Sequence, residues 1–119
     1  FQVLAMAAVN GLRQVSYYDK DPAAMQKFAR NMAKYPHINL RAATGVSDAV
    51  QGAHVVTTAT ATKGRAEIVA ARDVCPGMHF NAIGGDCPGK TEFSVPVLEQ
   101  CKIIVELESQ TRVEGEIQQ

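Results

Sequence analysis

The sequence has no excess of charge of either sign, since its 12 Lys and Arg residues match its 12 Asp and Glu residues. Nucleic acids and anionic membranes attract basic surfaces, so this balance argues against both as main partners. No apolar run reaches roughly 18 residues, the length that a helix needs to cross a bilayer. The first residues also lack the basic segment that opens a signal peptide. We therefore expect a cytoplasmic protein with no nucleic-acid partner and no membrane partner.

The sequence also has few residues that bind metals or form disulfides. Its three cysteines are odd in number and show no Cys-x-x-Cys spacing: Cys75, Cys87 and Cys101. This pattern favours reduced cytosolic thiols over a disulfide framework. The three histidines share no spacing typical of metal ligands, and so we predict no metal site.

The glycine fingerprint of dinucleotide-binding folds, Gly-x-Gly-x-x-Gly, is absent as well. In such folds it lies between a first strand and a first helix. The chain begins at Phe1 without an initiator methionine, and residues 1–12 already carry helical spacing. We interpret the chain as a fragment that is truncated before the glycine-rich loop, so that the first strand is missing.

What the sequence does contain is an alternation of strand and helix patterns. Apolar and β-branched runs predict strands at 15–18, 39–42, 53–58, 78–83 and 102–106. Helical spacing or caps predict helices at 1–12, 22–33, 44–50, 65–72, 94–100 and 111–119. Such alternation is typical of an α/β fold with a parallel sheet and helices on both faces. We expect one domain, or part of one, over residues 1–119.

Asp19 follows the predicted strand at 15–18. In dinucleotide-binding folds an acidic residue at the end of the second strand bonds the adenosine ribose hydroxyls, and it would repel a 2′-phosphate and so select NAD over NADP. The alternative is a solvated residue of a turn, where Asp21 already suits the helix cap.

Three threonines end the predicted strand at 53–58 or follow it: Thr57, Thr58 and Thr60. Their hydroxyl groups could face a cofactor at the carboxyl edge of the sheet. Equally, threonine is simply a good strand residue because its side chain is β-branched.

The stretch from Asn81 to Glu92 follows a predicted strand and contains four Gly or Pro residues around Asp86, Cys87 and Lys90. Loops at the carboxyl ends of strands are where α/β proteins bind ligands, although Gly, Pro and Asp also make ordinary turns. Asp86 suits a general acid or base. An adjacent carboxylate disfavours a thiolate, and so we interpret Cys87 as a small packing residue. Lys90 could meet a phosphate or a ribose, or be solvated.

The run 80–93 reads Phe-Asn-Ala-Ile-Gly-Gly-Asp-Cys-Pro-Gly-Lys-Thr-Glu-Phe and resembles a signature of the ornithine cyclodeaminase/mu-crystallin family. Residues 18–22 are similar to the ribose-binding turn of that family, and residues 111–119 to a later segment. The resemblance extends over the whole chain. The sequence Gly-Gly-Asp-Cys-Pro-Gly-Lys is more similar to the cyclodeaminase members of the family than to the alanine dehydrogenase-like and ketimine reductase-like members.

The resemblance implies a Rossmann-type, doubly wound parallel sheet that binds NAD, with a second domain for the substrate and for homodimer formation. Cyclodeaminase members convert L-ornithine to L-proline and ammonia by moving a hydride to NAD and back. The resemblance also implies that Asp86 moves protons during amine attack and ammonia departure. The cofactor-binding positions that it implies are Asp19, Thr60, Phe80, Asn81, Ala82, Ile83 and Lys90.

By the same resemblance, residues 1–119 form a partial NAD-binding domain from which the substrate domain is absent. We expect this piece alone not to be catalytically competent. Two alternatives stay open: an NAD(P)-dependent amino-acid dehydrogenase or ketimine reductase of the same family, and a non-catalytic fragment or binding module.

Overall fold

Short parallel strands and helices alternate in the computed structural model, which describes all 119 residues as two compact units, Phe1–Gln51 and Gly52–Gln119. The first unit contains α1 (Gln2–Asn10), β1 (Gln14–Tyr17), α2 (Pro22–Met32), β2 (Asn39–Ala42) and α3 (Val46–Val50). The second contains β3 (Val55–Thr58), β4 (His79–Ala82), α4 (Val95–Leu98) and α5 (Glu108–Thr111), with 3₁₀ turns at Ala71–Asp73 and Glu116–Gln118.

The helix ends of the first unit follow the local sequence. Gly11 ends α1 in the left-handed conformation, with φ of 61°, which glycine adopts without steric cost. The Asp21 side chain accepts a hydrogen bond from the backbone N–H of Ala23 at 2.8 Å, and Pro22 is the first residue of α2. The predicted cap and start of α2 are therefore confirmed.

The strands form two separate parallel pairs. Gln14 to Tyr17 of β1 lie opposite Asn39 to Ala42 of β2, and Val55 to Thr58 of β3 lie opposite His79 to Ala82 of β4. The predicted parallel pairing is confirmed. Because both strands of a parallel pair point the same way, the loops that follow β3 and β4 leave the same edge of their sheet. This edge positions the candidate site.

Each unit has its own core. In the first, the buried apolar residues are Met32, Ile38, Ala43 and Val50, and the rings of Tyr17 and Phe28 lie 4.7 Å apart. In the second they are Val56, Val69, Phe93 and Val97, with the rings of Phe80 and Phe93 at 5.4 Å and nearly perpendicular. β3 buries Val56 and Thr58 but exposes Val55 and Thr57, so within its unit it is covered on one face and not, as predicted, on both.

Two further predictions are wrong because backbone pairing differs from what the residue pattern indicates. Residues 65–70 form no helix: Arg65 forms a parallel bridge with Thr91, and Ile68 N–H donates to the Glu92 carbonyl at 2.8 Å. These bonds pair the segment with residues 91 and 92, and only the 3₁₀ turn Ala71–Asp73 overlaps the predicted helix. Residues 102–106 form no strand, since β4 pairs only with β3, and Ile103 and Ile104 stay exposed.

The predicted helix at 111–119 is also broken. α5 ends at Thr111, and Gly115 takes a φ of 108°, which lies outside the helical region. Only the single 3₁₀ turn Glu116–Gln118 follows. No helix of the chain is both long enough and apolar enough to cross a membrane.

Arg41 and Asp48 join β2 to α3. Arg41 Nη1 lies 2.6 Å from Asp48 Oδ1, and Arg41 Nη2 donates to the Asp48 carbonyl at 2.6 Å. Asp48 Oδ2 accepts from the backbone N–H of Thr44 at 2.8 Å. The Thr44 N–H first, and then the Arg41 guanidinium, lower the pKa of Asp48 from 3.8 to about 2.

Because folding lowers this pKa, ionised Asp48 stabilises the folded chain above its ordinary pKa of 3.8, and this contribution is lost as the pH falls toward about 2. We expect Asp48→Asn to lower the midpoint of thermal unfolding at neutral pH, and the difference from the unsubstituted chain to disappear at the acid end. Circular dichroism over this pH range measures it. Glu99→Gln is the control, since the exposed Glu99 carboxylate has no hydrogen-bond partner. An Asp48→Asn deficit that persists undiminished in acid contradicts the prediction.

Candidate functional site at the carboxyl ends of β3 and β4

The candidate site lies where β3 and β4 end side by side. Thr58 and Ala82 are register partners, and the pairing continues one residue further, because Ile83 N–H donates to the Thr58 carbonyl at 3.1 Å. The loops that begin at Ala59 and Ile83 therefore start next to each other. The second loop carries Gly84, Gly85 and Asp86.

Glu92 links these two loops through its side chain. Its Oε1 accepts from the Thr60 N–H at 2.6 Å, and its Oε2 accepts from the Gly84 N–H at 2.9 Å. Glu92 is completely buried, at 0% exposure. Carboxylates are almost never buried in this way unless their oxygens are bonded. We call this arrangement of Glu92, Thr60 and Gly84 the Glu92 bridge.

The two glycines of the loop leave room for carboxylates. A Cβ on Gly84 would fall on the carboxylate atoms of Glu92. A Cβ on Gly85 would lie 2.9 Å from Oε1 of Glu116 and 3.2 Å from the Cα of Gly115. Neither glycine has a positive φ, so the need for glycine is one of space. The two glycines therefore make room for carboxylates of the protein itself.

Glu116 holds the backbone from which Glu92 projects. Its Oε1 and Oε2 lie 2.9 and 3.1 Å from the Glu92 nitrogen, and Oε2 also accepts from the Phe93 N–H at 2.9 Å. Burial raises the pKa of Glu116, while the two backbone N–H groups oppose that rise. Thus two buried carboxylates, one behind the other, fix this edge.

The last residues of the chain bind the site loop as well. Gln118 Nε2 donates to the Lys90 carbonyl at 2.8 Å, and Gln118 Oε1 accepts from the Gly89 N–H at 2.5 Å. Gln119 Nε2 donates to the Phe93 carbonyl at 2.6 Å. The C-terminal segment therefore serves as a support for the loop.

Asp86 is the exposed acid of the site. Its side chain is 70% exposed, and its Oδ1 lies 2.8 Å from the Nζ of Lys90, whose side chain is only 10% exposed. The hydrogen bond from Lys90 is the main cause that lowers the pKa of Asp86, and the same bond raises the pKa of Lys90. Asp86 is thus an ionised, accessible carboxylate that can accept a proton.

Lys90 contacts Asp86 within the second unit, and its predicted contact with a cofactor stays a prediction. Cys87 is exposed, so its interpretation as a packing residue is wrong. Cys87 opens a tight turn, in which the Lys90 N–H donates to the Cys87 carbonyl at 3.2 Å and Gly89 has a φ of 81°, and turns of this kind lie at the surface.

The threonines at the end of β3 and just after it differ from one another. The hydroxyl oxygens of Thr58 and Thr60 are buried without a hydrogen-bond partner. A buried hydroxyl of this kind calls for a partner, and a polar ligand at this edge would supply one. Thr57 is exposed, and its hydroxyl accepts from Asn81 Nδ2 at 3.4 Å.

The four residues predicted to line a nicotinamide do not share one face of the sheet. Side chains of a strand alternate, so Phe80 and Ala82 lie on one face and Asn81 on the other. The Phe80 ring packs against Phe93 in the core, whereas Ile83 is 47% exposed beyond the end of β4. Their contact with a cofactor stays a prediction.

Asp19 lies in the first unit, two residues after the end of β1. It is exposed, and its Oδ1 accepts from the Asp21 N–H at 2.9 Å, which is the geometry of a turn. Its Oδ2 has no hydrogen-bond partner and can accept from a ligand hydroxyl. Asp19 thus combines the turn role with a free acceptor.

Sequence reasoning missed Glu92 and Glu116. Both carboxylates lie in stretches that already matched a family signature, but an acidic residue is normally solvated, and burial cannot be deduced from its type. The available signal was the Gly84–Gly85 pair, which indicates that something approaches the backbone closely.

Gly84→Ala tests the space that Glu92 occupies. The added methyl group would displace the Glu92 carboxylate and leave the buried N–H groups of Thr60 and Gly84 without an acceptor, so we expect the free energy of unfolding to fall by about 2–4 kcal/mol. Urea unfolding measures it. The control is Gly45→Ala: Gly45 is extended and has no atom near an added Cβ, and this change should cost about 1 kcal/mol or less. Equal losses for the two variants contradict the prediction.

Comparison with known proteins places this geometry in a family. The sequence profile of the ornithine cyclodeaminase/mu-crystallin family matches residues 1–119. Over 119 residues, the chain is 44% identical to the ornithine cyclodeaminase of Agrobacterium fabrum and 46% identical to that of Brucella melitensis. It is 34% identical to the alanine dehydrogenase of Archaeoglobus fulgidus over 121 aligned residues, which cover 98% of this chain and 35% of that protein.

Among solved structures, the chain is similar to the Δ1-pyrroline-2-carboxylate reductase of Thermococcus litoralis in complex with NADH and L-proline. The TM-score is 0.80 at 20% identity, over 96% of this chain and 35% of that one. This likeness confirms the predicted α/β fold of the Rossmann type. The matches cover 100% of this chain but 33% of the two cyclodeaminases, so the chain spans about a third of their length. Because the family profile matches every residue, the chain belongs to the ornithine cyclodeaminase/mu-crystallin family.

Proposed function

We propose that this chain is the NAD-binding part of an ornithine cyclodeaminase, which converts L-ornithine to L-proline and ammonia. The observation that carries the proposal is Asp86, an exposed and ionised carboxylate on a loop at the carboxyl end of a parallel strand. The identity of 44–46% to two ornithine cyclodeaminases over the whole chain supports this choice of reaction.

Each unit offers polar groups that are suited to NAD. In the first, Asp19 keeps a free carboxylate oxygen after β1, suited to a ribose hydroxyl. In the second, Thr58 at the end of β3 and Thr60 just after it have buried hydroxyls without partners. The structural relative from Thermococcus litoralis was determined with NADH, which supports the choice of cofactor. When bound, NAD supplies the acceptor that takes a hydride from the substrate α-carbon and returns it.

Asp86 performs the proton transfers in this proposal. Removal of the hydride leaves a double bond between the α-carbon and the α-nitrogen of the substrate. The ionised carboxylate of Asp86 takes a proton from the δ-amine as that amine adds to the α-carbon and the double bond opens. The carboxyl group then donates this proton to the departing α-amine, which leaves as ammonia. Lys90 stabilises the ionised form through its 2.8 Å contact, and so the protonated group gives up its proton readily. The loop backbone holds Asp86 in place, since its N–H donates to the Gly84 carbonyl at 3.0 Å.

The reaction is tested with L-ornithine and NAD on the purified full-length enzyme of which we propose this chain to be a part. We expect equal amounts of proline and ammonia, with no net NADH, because the hydride that leaves the substrate returns to it. Accumulation of NADH together with a keto acid would instead indicate an amino-acid dehydrogenase. Binding of NAD with no turnover of any amino acid would indicate a non-catalytic module.

An amino-acid dehydrogenase or ketimine reductase is the second candidate function. It is supported by the 34% identity to an alanine dehydrogenase and by the shared fold with a pyrroline-2-carboxylate reductase. Such an enzyme would consume or produce NADH in proportion to product, which separates it from a cyclodeaminase in the same assay.

Asp86→Asn tests the acid–base role. An amide cannot take and return the proton, so we expect turnover to fall by about 10²-fold or more, while the Kd for NAD changes little. Steady-state kinetics and calorimetric titration of NAD measure the two effects. Glu106→Gln, which neutralises an exposed carboxylate of the same unit, should retain full turnover. Wild-type turnover in Asp86→Asn would remove Asp86 from the mechanism.

A further inference from the structure

Glu92 is the one completely buried ionisable residue of the chain, and its hydrogen-bond partners are unusual for a buried carboxylate. Most buried carboxylates neutralise a nearby cation, but no Lys or Arg nitrogen forms an ion pair with Glu92. Its two oxygens instead bind two backbone N–H groups that are 24 residues apart in sequence, at Thr60 and Gly84. These are the second residues beyond the ends of β3 and β4.

The Glu92 bridge is connected to Asp86 through a single residue, Gly84. Gly84 N–H is held by Glu92, and the Gly84 carbonyl in turn accepts from the Asp86 N–H at 3.0 Å. On the other side, the Thr60 N–H is held by the same carboxylate, and the Thr60 hydroxyl is one of the buried groups without a partner. One side chain therefore fixes the distance between the Thr60 backbone and the loop that carries Asp86.

The bridge is itself rigidly supported. Glu116 accepts from the backbone N–H groups of Glu92 and Phe93, and the Phe93 side chain is buried against Phe80. A carboxylate that is anchored at its backbone and bound at both oxygens has little freedom to move. Such a group transmits a fixed geometry to the two loops.

We propose that Glu92 is a positioning residue, which sets the separation of the Thr60 loop from the Gly84–Asp86 loop and thereby the place of Asp86 relative to the bound substrate. The part of this inference that concerns substrate rests on the proposed function. The part that concerns the two loops depends only on the contacts of the Glu92 bridge, and the two parts are tested separately.

The first experiment examines the loops in the native protein by amide hydrogen exchange. Glu92→Gln keeps the size of the side chain but turns one acceptor into an NH₂ donor that faces a backbone N–H. Because the NH₂ group repels the backbone N–H that it faces whichever way the amide is turned, we expect the side chain to shift and exchange at Thr60 and Gly84 to become faster, by about tenfold at the amide that loses its hydrogen bond. Val97→Ala, which removes buried packing in α4 and leaves the atoms of the bridge unchanged, is the control for lost stability and should leave these two amides no faster than others in its unit.

The second experiment measures turnover and NAD affinity of the same variants, well below their unfolding midpoints. We expect Glu92→Gln to lower kcat by about tenfold to a hundredfold, since a small displacement of a catalytic group has this effect. The Kd for NAD and the KM for ornithine should change less than kcat. Val97→Ala should keep the kcat of the unsubstituted protein. A role in stability alone would not separate these two variants.

Glu92→Asp serves if Glu92→Gln does not fold. It keeps the charge but is one methylene shorter, so it cannot reach Thr60 and Gly84 together, and the same loss of protection and of kcat is expected. If exchange at both amides is unchanged, or if Glu92→Gln and Val97→Ala have equal kcat, the positioning role is overturned. If both amides lose protection but the unsubstituted protein neither binds NAD nor converts ornithine, the coupling of the loops stands and the proposed function fails.

Discussion

The second unit depends on a carboxylate that water does not reach. Glu92 lies at 0% exposure, and removing such a group from water is costly unless both oxygens find donors. The donors here are backbone N–H groups at the ends of two strands, which would otherwise themselves be unsatisfied. Each hydrogen bond therefore offsets the cost of burying the carboxylate and the cost of burying an amide at the same time. Removing any one of these groups leaves its partners buried without a hydrogen bond, which is destabilising.

This constraint explains the two adjacent glycines. A side chain at Gly84 would occupy the position of the Glu92 carboxylate, and one at Gly85 would press on Glu116. Glycine at both positions therefore leaves the space that the side chains of Glu92 and Glu116 occupy. The loop that results is narrow and rigid at its base, and it presents Asp86 to solvent. Rigidity at the base and exposure at the tip are the properties that a proton-transferring group needs.

Four charged side chains follow one another along this edge. Glu116 holds the backbone of Glu92, Glu92 lies near the ammonium of Lys90, and Lys90 pairs with Asp86. The negative charge of Glu92 favours the charged form of Lys90, and Lys90 favours the charged form of Asp86. Glu92 thus acts on the exposed Asp86 through a lysine whose side chain is mostly buried. The proposed acid–base role of Asp86 uses this order of charges, whereas the proposed positioning role of Glu92 rests on its hydrogen bonds to Thr60 and Gly84.

The sequence by itself determined the α/β class, the parallel pairing and the caps of the first unit, because these depend on local spacing and on Asp, Pro and Gly at fixed positions. It also determined the family, since the sequence of residues 80–93 is specific to that family, and it identified Asp86 as the candidate acid. Only the tertiary structure decided that residues 65–68 pair with residues 91 and 92 and that 102–106 are unpaired, because backbone pairing requires a partner edge that residue type does not reveal. Only the tertiary structure decided the roles of Glu92 and Glu116, because burial of a carboxylate depends on donors that lie 8 to 32 residues away along the chain.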